Sequence, residues 1–527
     1  MISLHSEIEM GSTGLLPALV SDYLSQNKSL AHLYKYSFDF SAFKQVIADK
    51  SNDSIDRKTL VEVLKKQYHL ISASPSVTAN IEKLASDKTF TITTAHQPSL
   101  LLSPLYFIYK ISCVINIANQ LTKTYPGYQF VPVFWMGSED HDIDELNHAY
   151  VHGKKIEWNT DGRGAIGRIE TESLHSVIEE LKNTVSDSHL LSVIEKGVAE
   201  FNTFGNFTQY FINEIFKDEG LLVLDQDDAT LKKIFARVAK DEIENKRAVE
   251  VLKPTIEFLE SNYKVQAKPR EINFFYLGEN IRERIVFNSD SRKFEVINTS
   301  LAFTAEEMTR EIESHPERFS PNVIFRPLFQ EMILPNLAFV GGAGEMSYWL
   351  ELKPLFDYYG INYPMQILRS SAAILNHSTE KKLEKLGLQA ADFFEDIEQL
   401  INRYIQLHYA SDSNLQDEEK KLEELFATIA AKAEAIDVTL GPSAASEKQK
   451  VLASIKNLEG KMLKAEKKKH ETAVAQIRSI HAHLFPEGVL QERRENFIPY
   501  YDKLFIRHCV LNLNPFDRKF KFFSNRD

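Results

Sequence analysis

Two hydrophobic periodicities alternate along this chain, and then one of them takes over. Short apolar runs at FTITT (90–94), QFVPVFWM (129–136), LLVL (221–224), NVIF (322–325), LAFV (337–340) and MQIL (365–368) predict strands. Helical spacing fills most of the intervals, notably 104–124, 199–217, 228–259 and 345–358. Strands apolar on both faces and separated by helices predict an α/β fold with a parallel sheet covered by helices. Residues 1–88 read as helical and loop-rich, because LLPALVSDYLS and IDRKTLVEVLKKQY carry apolar residues at helical spacing. The stretch from about 152 to 300 is less regular and predicts an inserted subdomain that also holds a core strand.

From about 378 the sheet texture stops. Leu422, Phe426, Ile429, Ala433 and Ile436 step by four, three, four and three, and Val451, Ile455, Leu458, Met462 and Ala465 form a second narrow seam. Such seams predict an antiparallel hairpin of coiled-coil type, turning at Gly441-Pro442 and ending near 484, before FPEG (485–488). A projecting hairpin of this kind packs on its own chain or on a second copy. Lys467-Lys468-Lys469 reads as a solvated face. The expected organisation is an N-terminal helical segment (1–88), a sheet core (89–375), a helical hairpin (376–485) and a closing segment (486–527) that returns to the core.

Composition narrows the function classes. A net charge of −12 over 527 residues argues against coating nucleic acid, which needs a basic field. No window approaches the 18 apolar residues of a membrane span, and MISLHSEIEMGSTG lacks the layout of a signal peptide. The two cysteines, Cys113 and Cys509, are far apart in sequence and outside any CxxC spacing, which fits a reducing cytoplasm.

Three stretches carry candidate chemistry. In TITTAHQPSLLLSPLYFIYK (91–110), Ser103 and Pro104 predict a helix start near 104, placing His96 at the carboxyl end of the first core strand. Ligands bind at that edge of open α/β sheets, and an anion there could meet imidazole and backbone N–H groups together. The alternative is a histidine that only fills the turn. In FWMGSEDHDIDELNHAY (134–150), a buried strand runs into Gly137, Ser138, Glu139, Asp140, His141, Asp142, Asp144 and Glu145. Asp140 and His141 could orient or deprotonate a substrate, or Asp, His and Glu could hold a divalent metal. Two features weaken zinc hydrolysis: the HExxH spacing is absent, and on one helix His141 and His148 would lie two turns apart. The competing reading is a capped helix start at Ser138.

The third stretch, LAFVGGAGEMSYW (337–349), runs a strand into Gly341, Gly342 and Gly344, with a helix predicted from about Glu345. It departs from GxGxxG where Ser347 replaces the last glycine, and no acid sits about twenty residues on to grip a ribose hydroxyl; the next strand ends in Arg369, a residue suited to phosphate. The glycines then let backbone approach a phosphate, sugar or carboxylate, or they simply form a tight turn. Arg270, Arg282, Arg284 and Arg326 are further candidates for anion contacts or for structural salt bridges.

Taken in order, TTAHQPSLLLSPLYFIYK, VPVFWMGSEDHDIDELNHAYV, KPREINFFYLGENIRERI and FSPNVIFRPLFQEMILPNLAFVGGAGEMSYWLELKPLF resemble the cysteine ligase family of bacillithiol biosynthesis, the BshC family. The hairpin and LFPEGVLQERRENFIPYY (484–501) resemble it too, so that nearly the whole chain is covered. The resemblance implies a Rossmann-like parallel sheet with inserted connective segments, a coiled-coil domain and a homodimer built through it. It implies the joining of cysteine's carboxyl group to the amine of glucosaminyl-malate, with ATP and Mg²⁺ as the natural activating pair and no tightly bound metal. HIGH and KMSKS, the signatures of cysteinyl-synthetase-like enzymes that make a related thiol, are absent. On this reading His96 meets an activated phosphate, and Asp140 and His141 act on the amine. Gln97, Ser138, Arg326 and Glu345 contact substrate, and Gly341, Gly342 and Gly344 approach nucleotide. The rival expectations are a nucleotide-dependent oxidoreductase using the glycine loop and a non-catalytic nucleotide-binding scaffold.

Overall fold

The computed structural model describes residues 2–185, 187–409, 415–502 and 504–525. The chain divides into two compact units, Met1–Ala373 with Gln491–Asp527, and Ile374–Leu490.

The first unit is built on a parallel sheet of β1 (Thr89–His96), β2 (Gln129–Met136), β3 (Leu222–Asp225), β4 (Asn336–Gly341) and β5 (Met365–Leu368). Their order across the sheet is β3-β2-β1-β4-β5, the Rossmann arrangement. Side chains are buried at nearly every position of these strands, which only a sheet covered on both faces allows. His96 lies opposite Met136, Met136 opposite Asp225, and Gly341 opposite Leu368, so the carboxyl ends share one edge. The winding reverses between β1 and β4. Loops leaving that point go to opposite faces and open a crevice between them.

Five of the six predicted strands are in this sheet. The sixth, NVIF, is a turn that leads into a helix, because the extended segment ends earlier, at Phe319–Pro321 paired with Phe274–Tyr276. Pro327 then sits in the helix's first turn, where its missing N–H costs nothing.

Three helices position the site: α1 (Tyr106–Thr124), α2 (Arg326–Ile333) and α3 (Ala343–Tyr359). α1 begins two residues later than Ser103-Pro104 predicts, and Ser103 does not cap it. The buried leucines 100–102 fold into a 3₁₀ turn instead, with Leu101 and Leu102 at positive φ. α3 begins two residues earlier than predicted, so Gly344 lies inside its first turn. The predicted helix 228–259 is split at Lys246, whose φ of 57° ends Ala229–Asn245 and lets Arg247–Asn262 start afresh.

The stretch after β2 holds β3 and runs past 300. It ends in a five-stranded sheet made by Phe274–Leu277, Arg282–Asn288, Lys293–Val296, Ala302–Phe303 and Phe319–Pro321, antiparallel throughout. The N-terminal segment is not only helical. Ile2–Glu9 is a strand that pairs antiparallel with Lys519–Asn525, tying the two ends of the chain together.

In the second unit, Gln416–Ile436 and Leu440–Lys469 form the antiparallel hairpin. The turn is at Asp437–Thr439, not at Gly441-Pro442. Pro442 falls within the first turn of the second helix, where a proline is tolerated. That helix breaks at His470 and resumes as Glu471–Leu484, stopping before FPEG. Among the described residues, no helix is long and apolar enough to cross a membrane.

Candidate active site

A cavity of about 360 Å³ opens where the winding reverses, lined by residues that include His96, Tyr106, Asp140, Arg326, Gly344 and Arg493. It draws on the ends of β1, β2 and β4, the starts of α1, α2 and α3, and the closing segment of the chain.

His96 is the last residue of β1. Its Nδ1 is 2.9 Å from the Gln97 carbonyl oxygen and its Nε2 is 3.1 Å from the Tyr106 hydroxyl. A carbonyl can only accept, so Nδ1 carries the proton and Nε2 accepts from Tyr106. Burial, reinforced by Lys110, pulls the imidazole down to about 4, so the ring is neutral at pH 7. Burial pushes the Tyr106 phenol up to about 12.

Lys110, one turn into α1, is 1% exposed. Its ammonium donates to the Ala95 carbonyl at 2.6 Å and to both Glu345 oxygens at 2.9 and 2.8 Å. Glu345 in turn accepts the Gly342 N–H at 2.9 Å. Burial alone would raise the Glu345 carboxyl, but Lys110 and this N–H outweigh it and lower its pKa. The ion pair therefore holds the end of β1 against the β4–α3 turn, across the mouth of the crevice. A Cβ built at Gly344 would meet nothing within 4 Å, and one at Gly342 would meet only ordinary contacts. Beyond the Gly342 N–H that Glu345 already holds, the helix start thus has room for a ligand such as phosphate to approach the backbone.

The acidic run after β2 does not form one cluster. Glu139 turns inward and is fully buried, paired with Lys232, with Gln226 and Ser320 donating to it at 2.8 and 2.9 Å. Asp140 faces the cavity. Gln97 donates to it at 2.8 Å and Arg282 at 3.2 Å, while its other bond is to the His141 N–H at 2.8 Å. Burial would raise this carboxyl, but the His141 and Arg282 contacts reverse the effect and hold it well below the usual range. Asp140 is thus a permanent negative charge, suited to orienting a cation or an N–H and too weak to serve as a base. His141 is exposed, with Nδ1 accepting from Arg282 at 2.7 Å, and it lies outside the cavity lining.

The capped-helix reading of Ser138 fails. The next helix is Ile143–Leu146, and the Ser138 hydroxyl instead donates to Asp225, a carboxyl that burial and neighbouring Asp227 push up to about 7. His148 starts a strand, not a second turn of helix. Among the described residues, no three His, Cys, Asp or Glu side chains gather as a metal set.

The arginines divide into three groups. Arg369 is buried and clamped bidentately by Glu492 at 3.1 and 2.7 Å, so its charge is already matched. Arg282 is matched by Asp140. Arg326, at the start of α2, donates only to neutral groups, Gln330 at 3.1 Å and the Tyr348 hydroxyl at 3.3 Å. Arg493 is exposed on the cavity rim. Among the described residues, neither Arg326 nor Arg493 has a carboxylate partner. Arg270 and Arg284 lie outside the lining.

Of the residues singled out in the sequence, the cavity gathers His96, Gln97, Gly137, Asp140, Arg282, Arg326, Gly342, Gly344, Glu345 and Arg369. Gly341, Ser138 and His141 lie behind it or beside it. Lys110, Tyr106 and Arg493 were not foreseen. Lys110 had a signal, a single charge inside the otherwise apolar stretch YFIYKISCVI. Arg493 had none, because only the fold brings the closing segment to the sheet edge.

Comparison with known proteins agrees with this architecture. The pattern of the N-terminal Rossmann-like domain of bacillithiol biosynthesis BshC matches residues 5–370, and that of the BshC C-terminal coiled-coil domain matches residues 372–524. A Flavobacterium johnsoniae protein is 39% identical over 500 residues, covering 94% of each chain. One from Flavobacterium psychrophilum is 37% identical over 505 residues, again covering 94% of each. A more distant one from Bacillus cytotoxicus is 28% identical over 509 residues, 93% of this chain and 94% of its own. All three bear the description "Putative cysteine ligase BshC".

Proposed function

The chain belongs to the BshC family of bacillithiol biosynthesis, and from that premise we propose that it is a cysteine ligase. It joins the carboxyl group of cysteine to the amine of glucosaminyl-malate, drawing on ATP with Mg²⁺. The observation that carries this reading is the pairing of two unmatched guanidiniums, Arg326 and Arg493, with an uncrowded glycine helix start and the fixed carboxylate of Asp140 around one cavity. Arginine is the residue for planar carboxylates and phosphates, and two without partners leave positive charge for an anionic ligand.

In this arrangement Arg326 holds a malate carboxylate and Asp140 accepts from the amine. The Gly342–Gly344 backbone approaches a nucleotide phosphate. ATP supplies the activation that amide formation in water requires. The chain's own part is to position the two reactants and exclude water. His96, with both ring nitrogens engaged and no net charge, serves as an acceptor behind Tyr106 and not as a donor to phosphate.

The test is reconstitution with purified protein, cysteine, glucosaminyl-malate, ATP and Mg²⁺, with mass spectrometry for the amide and for AMP or ADP. Amide formed with matching nucleotide consumption is expected. Failure to make the thiol product would favour a non-catalytic binding role, and NADPH binding without ATP binding would favour hydride transfer.

A further inference from the structure

We propose that Tyr106 is a catalytic residue for this ligation, passing the proton that the attacking amine sheds to Nε2 of His96 behind it. This rests on the ligase reading above and adds the route of the proton.

The geometry is already set for it. The Tyr106 O–H is committed to Nε2, which leaves the phenol oxygen's lone pairs available as acceptors on a residue that lines the cavity. The His96 tautomer is fixed from behind by the Gln97 carbonyl, so Nε2 is the only ring nitrogen able to take a proton. Tyr106 is held between two elements: it opens α1, and the Arg369 guanidinium lies 5.1 Å above its ring. The charged groups around the pair are Lys110, Glu345 and Asp140 near His96, and Glu345, Arg369, Arg493 and Glu492 near Tyr106.

The step balances as follows. The amine's lone pair forms the C–N bond to the carbonyl carbon of an acyl phosphate or acyl adenylate of cysteine. One N–H proton moves to the Tyr106 oxygen as the Tyr106 proton moves to His96 Nε2. The bond from carbonyl carbon to phosphate oxygen then breaks, and its electron pair leaves with the phosphate. His96 ends as imidazolium and returns its proton to water or to the departing phosphate.

A weakly basic imidazole suits this task. It would not deprotonate a free ammonium ion, but the N–H of an amine already bonded to a carbonyl carbon is far more acidic. The low proton affinity of His96 also keeps it ready as an acceptor at neutral pH.

Tyr106→Phe should lower kcat about 10²-fold, the usual scale for general-base assistance, with KM for the amine within about threefold of wild type. His96→Gln should cost about the same, and the double variant no more than about threefold beyond either, because both residues serve one transfer. Near wild-type kcat in Tyr106→Phe, or losses that multiply in the double variant, would overturn the relay. Nitrogen-15 NMR of His96 gives a reading free of turnover. Glucosaminyl-malate alone should shift the Nε2 resonance in wild type and leave it unmoved in Tyr106→Phe. An unmoved wild-type resonance overturns the relay whatever the ligation assay gives, whereas a shifted resonance without amide product overturns the ligase reading and the relay with it, leaving only the amine's contact with Tyr106.

Discussion

Arg326 shows how a single residue's meaning depends on what lies within reach of it. In the sequence it is one of several arginines near a strand end, and nothing separates it from Arg369 or Arg282. In the fold those two are matched by Glu492 and Asp140, while Arg326 rests on a glutamine and a phenol. A guanidinium held only by neutral groups keeps its field for a ligand. Arg326→Ala should raise KM for glucosaminyl-malate about 10- to 100-fold with little change in kcat, the scale of one charged hydrogen bond. Arg326→Lys should recover part of that loss, because the charge returns without the fork. Steady-state kinetics with the amine substrate varied would check this; a fall in kcat at unchanged KM would place Arg326 outside the malate contact. His96 was legible because a polar residue at the end of a buried strand stands out. Tyr106 was not, since the helix start shifts by two residues when Leu100–Leu102 bury themselves in a turn.

At the scale of elements, the β4–α3 turn separates two reasons for a glycine. A Cβ at Gly341 would meet the Phe339 ring at 2.9 Å and the Glu345 Cβ at 3.0 Å, so this glycine is needed for packing. Gly342 and Gly344 have ordinary backbone angles and room for a methyl group, so any need for them comes from what enters the cavity. Gly344→Ala should leave stability unchanged or raise it by up to about 1 kcal/mol, since alanine is the better helix former. It should weaken ATP binding at least tenfold by calorimetry, and unchanged affinity would remove the turn from the nucleotide contact. Gly341→Ala should instead destabilise the fold. The sequence showed three glycines in one loop but not this division of labour, which depends on which side of the turn Phe339 and Glu345 occupy. Strand runs were legible for a related reason. A strand buried on both faces leaves a continuous apolar signature, whereas Ile2–Glu9, half exposed and paired with the far end of the chain, reads as a loop.

For the molecule as a whole, buried carboxyls act in two opposing directions. Asp140 and Glu345 have folded pKa values below their unfolded ones, so the stability they contribute is present at neutral pH and is lost as pH falls through the folded values. Asp225, Glu242, Glu331 and Glu351 are pushed up to about 7, in each case chiefly by burial. They keep a proton in the folded chain that the unfolded chain has lost above about pH 4. Stability therefore declines as pH rises from about 4 to 7 through these four groups, and levels off above that. Glu351 isolates the second effect: it is fully buried, accepts backbone N–H bonds from Gln266 and Ala267, and no cation is among the causes of its shift. Glu351→Gln keeps an acceptor and removes the proton linkage. It should stabilise the fold by on the order of 1–3 kcal/mol at pH 8 and change it little at pH 4.5. Urea unfolding followed by tryptophan fluorescence reports on the right unit, because Trp135, Trp158 and Trp349 all lie in the first one. An equal effect at both pH values would mean that Glu351 is ionised in the folded protein, and that its two N–H bonds outweigh its burial.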